Sequence, residues 1–102
     1  MNHTFQMHGL FGSFLADGDI ANRFRFCEVE PKLENCTHVI FDFSGVINMT
    51  DSFCRACFET LATRHPEQFR NKIRFQHCSP LIRSFLSNAV ASGLSHAHKK
   101  AA

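Results

Sequence analysis

The stretch MTDSFCRACFET, residues 49–60, sets two thiols, Cys54 and Cys57, at a C-x-x-C spacing directly behind three polar residues, Thr50, Asp51 and Ser52. Each group offers a different chemistry. Two thiols one helical turn apart can undergo thiol–disulfide exchange, and a helix N-terminus with a neighbouring cation such as Arg55 lowers thiol pKa and raises the share of reactive thiolate. The same pair can supply half of a tetrahedral zinc site. A Thr-Asp-Ser run ahead of an apolar periodic segment instead marks a helix start, where a side-chain oxygen accepts from a free backbone N–H.

A C-x-x-C in the first turn of a helix that follows a strand is the setting used by thioredoxin-like redox proteins. The pair here lacks their aromatic, Gly and Pro surroundings, and Pro80 opens a helix rather than preceding a strand. Cys54 and Cys57 also fall on the helical stripe that calls for apolar residues, and free Cys packs as a small hydrophobe. The thiols therefore read as core packing, with Cys54 partly exposed. A structural zinc site needs four ligands. His77-Cys78, or His96 with His98, would have to complete it, and the seven His (3, 8, 38, 65, 77, 96 and 98) follow no ligand spacing. Asp42 with Asp51 could approach Mg²⁺, but two carboxylates are too few oxygens. Asp42 reads as a support for the loop after its strand, and Asp51 as the first turn of a helix. Gly45 stands alone, with no phosphate-binding loop around it, and no Ser, His and acid cluster has a family context. No cofactor is expected.

The elements that must position these residues alternate. Residues 4–11 read as a first strand, Gly12 and ADGD (16–19) as a loop, and a helix follows from Ile20, capped by Asp19, with Ile20, Phe24 and Cys27 on one face. Pro31 should kink or end it. HVIFDFSGV (38–46) is the clearest strand, and its near-continuous apolar run suits a central strand covered on both faces. A helix over 53–64 takes Ser52 as N-cap, and 66–70 form a turn or short helix. Residues 72–77 alternate as a strand, with Ile73, Phe75 and His77 on one side. Ser79-Pro80 starts a last helix, whose buried face is Ile82, Phe85, Leu86, Ala89 and Val90 and whose end is Gly93. The order predicts an α/β domain over 1–94 with a largely parallel sheet, and a flexible polar tail over 95–102.

Composition sets outer bounds. The chain has 102 residues, 44% hydrophobic and 20% charged, enough for one small core. All aromatic carbon is in twelve Phe, with no Trp or Tyr, which reads as a Phe-rich core. A net charge of +2 from dispersed Lys and Arg argues against nucleic acid. That class would need Arg55, Arg70, Lys72 and Arg74 in one patch. Five Cys cannot all pair within the chain. With no signal-peptide pattern and no membrane-length apolar run, a reducing cytoplasmic home is expected.

From Val39 to about Leu94 the chain resembles the STAS-like domain family, the fold of sulfate-transporter and anti-sigma-factor-antagonist domains. The cue is VIFDFSGVINMTDSF: an apolar strand ending Asp42-Phe43-Ser44-Gly45-Val46, a short loop, then a polar triplet and Phe53 opening a helix. FRNKIRFQHCSPLIRSFLSNAV continues it, and GSFLADGDIANRF fits the opening loop and first helix more loosely. The resemblance implies a small α/β layer of mixed or largely parallel strands with helices packed on it, and a regulatory protein-binding module of bacterial type rather than an enzyme. The implied partner is a histidine-kinase-type ATPase or an anti-sigma-like regulator, docked at 44–58 through Asn48, Thr50, Asp51, Ser52 and Arg55. In antagonists of that family a Ser at this helix start is phosphorylated, which breaks the complex. One register makes Ser52 the acceptor, with Thr50 as a second candidate; the other puts Asp51 there, a permanent charge. A thiol or zinc protein built on Cys54 and Cys57, a nucleic-acid module, a small inhibitor and a homodimer stay open as alternatives.

Overall fold

Phe5, Phe41 and Phe75 lie side by side across a three-stranded parallel sheet, their ring centroids 5.5 and 5.8 Å apart. The computed structural model describes residues 1–101. In chain order the elements are β1 (Asn2–Gln6), α1 (Met7–Phe11), β2 (Phe14–Leu15), α2 (residues 18–35), β3 (His38–Asp42), β4 (Asn48–Met49), α3 (residues 51–64), α4 (Pro66–Lys72), β5 (Ile73–Gln76) and α5 (Pro80–Ala101). The main sheet runs β1-β3-β5, and β2 pairs with β4 as a separate parallel ribbon. The expected α/β architecture with parallel strands is what forms. The Phe-rich core forms as well: among the twelve Phe only Phe14 and Phe26 are exposed. No described helix is long and apolar enough to cross a membrane.

The sheet is covered on one face, not two. Val39 and Phe41 are buried under the helices, while His38 and Ile40 on the opposite face are half-buried, flanked in register by exposed Asn2, Thr4 and Arg74. The cause is topological. Both crossovers step the same way across the sheet, and right-handed crossovers of one direction stack their helices on one side.

Several boundaries differ from the sequence reading. The first strand stops at Gln6, and 7–11 form a helical turn. Helix α2 starts at Gly18 because Asp17, not Asp19, caps it, Oδ1 accepting from Asp19 N–H at 2.8 Å and Ile20 N–H at 3.2 Å. Its buried stripe is Ala21, Phe24, Arg25, Val29 and Leu33, while Ile20 and Cys27 are exposed. A π-helical turn at Arg25–Val29 widens the repeat and rotates Cys27 outward. The same loosened turn lets the helix continue past Pro31 to Asn35, since a proline that cannot donate clashes least where the regular ladder is already broken.

A second π turn lies at Arg55–Glu59 in α3, and Arg25 joins the two helices there. There Thr60 N–H donates to the Arg55 carbonyl, and Arg25 Nε donates to the Ala56 carbonyl at 2.9 Å. Arg25 also pairs with Glu30 and Asn22, and Glu30 takes further bonds from Arg64 at 3.2 Å and His65 at 2.8 Å. This network, buried at Arg25 and open to solvent at Arg64, fixes how α3 lies against α2.

His77 leaves the Ile73/Phe75 side because its backbone turns left-handed, φ 56°, as the strand ends. Helix α5 starts as expected, with Ser79 Oγ accepting from Ile82 N–H at 3.2 Å, and buries Ile82, Leu86 and Ala89 with Phe85 and Val90 at the margin. It does not end at Gly93. That residue is a packing contact against α3, where Thr63 Oγ1 donates to its carbonyl at 3.1 Å. The segment expected as a flexible tail is helical to Ala101, and residue 102 lies outside the described residues.

Candidate functional site at the start of helix α3

The helix after β4 begins at Asp51, and its N-cap is Thr50 rather than Ser52. Thr50 Oγ1 accepts from Phe53 N–H at 3.1 Å and donates to the Ala16 carbonyl at 2.8 Å, while Thr50 N–H donates to Leu15 at 2.8 Å. Thr50 is therefore half-buried, and its hydroxyl ties the loop before α2 to the start of α3. Ser52 is set free by this arrangement. It sits exposed in the first turn beside Gly18, where an added Cβ would stand 3.3 Å from Ser52 Cβ. Two helix N-termini, those of α2 and α3, thus meet at Ser52.

Asn48, Asp51 and Arg55 are exposed around this point. Asn48 Oδ1 accepts from Met49 N–H at 2.8 Å, holding the short β4 in shape. Arg55 lies along the helix between Asp51, 3.6 Å away, and Glu59, 3.0 Å away. Glu59 is itself anchored by Ser92 Oγ at 2.7 Å, and this contact, helped by the Arg55 bond, outweighs the upward push of burial and leaves its carboxyl below the ordinary value. A shallow groove of about 280 Å³ between α3 and α5 follows, lined by Asp51, Arg55, Glu59, Phe85 and Ser92.

The sequence reading missed the apolar half of this surface. Phe14, Ile20, Ile47 and Leu10 are 53, 46, 72 and 53% exposed. Phe14 pairs with Asn48 across the β2–β4 ribbon, and Ile47 N–H donates to Ser13 at 2.8 Å. Ile20 and Phe11 line two adjoining depressions, one of about 360 Å³ reaching Leu10 and Cys27, the other of about 160 Å³ reaching Phe14, Asp17 and Phe53. The signals were present as bulky apolar residues inside turn-rich loops, in LFGSF and in GVINMT.

The thiols are elsewhere. Cys54 and Cys57 are buried, 1 and 0% exposed, which corrects the expectation that Cys54 is partly open. Cys54 Sγ lies 3.5 Å from the Phe85 carbonyl, under α5. Burial, with Asp51 and Glu59 nearby, pushes the Cys54 thiol up to about 12, and burial pushes Cys57 up as well. This opposes the effect of a helix N-terminus and leaves almost no thiolate at neutral pH. Among the described residues no three His, Cys, Asp or Glu side chains gather as metal ligands.

Asp42 does support its loop. Oδ1 accepts from Ser44 N–H at 2.9 Å and meets His77 Nδ1 at 2.9 Å, and these two bonds, the Ser44 amide first, hold the carboxyl below its ordinary value. Of the four cations that would make a nucleic-acid patch, three are engaged by separate partners: Lys72 with the Leu33 carbonyl, Arg74 with the carbonyls of Arg70, Asn71 and Ile73, and Arg55 with Asp51 and Glu59 along α3.

A family described as a STAS-like domain of unknown function matches residues 21–83, from the first turns of α2 through β5 into α5. No curated protein and no solved structure matches the chain.

Proposed function

The chain belongs to the STAS-like domain family, and from that membership we propose that it is a regulatory binding module, which docks a partner protein through residues 44–58 and performs no catalysis. The observation that carries this reading is the pairing of exposed Asp51 and Ser52 at two meeting helix starts with the exposed Phe14, Ile20 and Ile47 beside them. Exposed large apolar side chains bordered by polar residues are the make-up of a protein-docking patch. The family resemblance supplies the partner class, a histidine-kinase-type ATPase or an anti-sigma-like regulator in the cytoplasm. A small inhibitor of a larger assembly would use the same surface.

Control acts at Ser52. Its hydroxyl is free, whereas that of Thr50 is held within the cap. A phosphate there adds a charge of about −1.5 to −2, which helix N-termini stabilise, in the middle of the docking patch and beside Asp51. The added charge and its hydration oppose burial of Phe14 and Ile47 against a partner.

Affinity capture from native lysate, with and without ATP, tests the proposal on wild type, Ser52→Asp and a Phe14→Asp/Ile47→Asp double variant. Capture of an ATPase of histidine-kinase type, identified by mass spectrometry and lost in both folded variants, is the expected result. Capture that both variants retain overturns it.

A further inference from the structure

The chain treats the two outer strands of its sheet differently. The order β1-β3-β5 leaves β1 and β5 each with one unpaired side. Phe43 N–H donates to the Gln76 carbonyl at 2.9 Å. Successive residues of a parallel strand turn their N–H and C=O to opposite sides. With the registers, this fixes the direction of every backbone group in the sheet. Arg74 and Gln76 face β3, so Ile73 and Phe75 face outward. Val39 and Phe41 face β5, so His38, Ile40 and Asp42 face β1. On β1, His3 and Phe5 face β3, and Asn2, Thr4 and Gln6 face outward.

The β5 edge is closed. Ile73 N–H donates to the Phe69 carbonyl, and the Ile73 carbonyl accepts from the guanidinium of Arg74 at 2.8 Å. His77, at φ 56°, then turns the chain off the strand line. Only Phe75 keeps free edge groups, and a single open residue is too short a stretch for strand addition.

The β1 edge carries no such device. Among the described residues no hydrogen bond reaches the outward groups of Asn2 and Thr4. The strand, Asn2-His3-Thr4-Phe5-Gln6, contains no Lys, Arg, Asp, Glu or Pro. Its outward residues are symmetric about Thr4, with an amide side chain on either side.

We propose that β1 is a self-association strand: two copies of the chain pair antiparallel through these edges about a two-fold axis at Thr4. Asn2 of each copy lies opposite Gln6 of the other. The pairing sets Thr against Thr and amide against amide, cross-strand pairs that hydrogen-bond, and brings no like charges together. It joins the two sheets into one and closes on itself, as an isologous contact must. It leaves the start of α3 free for the partner proposed above and stands independently of that reading.

Sedimentation velocity from about 1 to about 100 µM, a span of about 2.7 kcal/mol in association free energy, tests the dimer on wild type, Thr4→Pro and Thr4→Lys. The Thr4 N–H points outward, so proline there removes an intermolecular donor and leaves the β1–β3 ladder intact. Lysine keeps the N–H but sets two ammonium groups opposite each other. The expected result is a wild-type dimer, with association weakened at least tenfold in both variants and their far-UV circular dichroism unchanged. If the proline variant fails to fold, the lysine variant decides. A wild type that stays monomeric throughout, as it would if the edge served a strand of some other protein, overturns the proposal. So does a dimer that the folded variants keep.

Discussion

Gly93 stands directly on Glu59: a Cβ on Gly93 would come 2.5 Å from the Glu59 carbonyl oxygen and 2.8 Å from Ala62 Cβ. Neither neighbour is the free end of a side chain, so α5 would have to lift away from α3. Gly93→Ala is expected to cost about 1–3 kcal/mol, although alanine is the better helix former. Urea unfolding measures it. A stabilised variant would mean that Gly93 only weakens the helix.

Thr50 and Ser52 separate capping from surface. Thr50→Ala removes both the cap of α3 and its tie to Ala16, and should cost about 1–2 kcal/mol. Ser52→Ala touches an exposed hydroxyl and should stay within about 0.5 kcal/mol. The reverse ranking in thermal or urea unfolding would restore Ser52 as the cap.

Acid sensitivity follows from the carboxylates. Asp42 is lowered from an ordinary 3.8 by the Ser44 amide and then His77. Burial raises Glu30, but the His65 bond and the Arg25 and Arg64 charges outweigh it and leave it below 4.5. A depressed folded pKa stabilises above the unfolded value, and that stability is lost as pH falls through the folded one. Unfolding midpoints should therefore hold down to about pH 5 and fall below it. Asp42→Asn should flatten the fall. An equal slope in wild type and variant would show that Asp42 is not linked to folding.

Thiol labelling distinguishes packing from reactivity. Cys27 is exposed, whereas Cys54 and Cys57 are buried with raised pKa. Alkylation near neutral pH, read by mass spectrometry, should modify Cys27 readily and reach Cys54 and Cys57 only on unfolding. Rapid labelling of Cys54 in the folded protein would reopen the redox reading.

Local patterns that depend on one element were legible in the sequence. The Ser79-Pro80 start, the Ile82/Leu86/Ala89 face and the β3 and β5 strands follow from capping and periodicity alone. What the sequence did not disclose depends on contacts between elements. Gly93 reads as a stop until Glu59 is placed against it. Cys27 reads as buried until the π turn at Arg25–Val29 rotates it outward. Thr50 takes the cap from Ser52 because Ala16 and Leu15, over thirty residues away, hold its backbone and hydroxyl. Of the candidate site, the polar centre was read from its motif. The apolar flank of Phe14, Ile20 and Ile47 was not, since an apolar residue in a loop gives no sign of whether the fold covers it.

Hydrogen exchange on the protein, free and bound to the captured regulator, locates the docking surface. New amide protection is expected at residues 44–58 and in the facing loop at 10–20, with protection reduced when Ser52 is phosphorylated. Protection confined to α5 or to the open face of the sheet, with 44–58 unchanged, would contradict it.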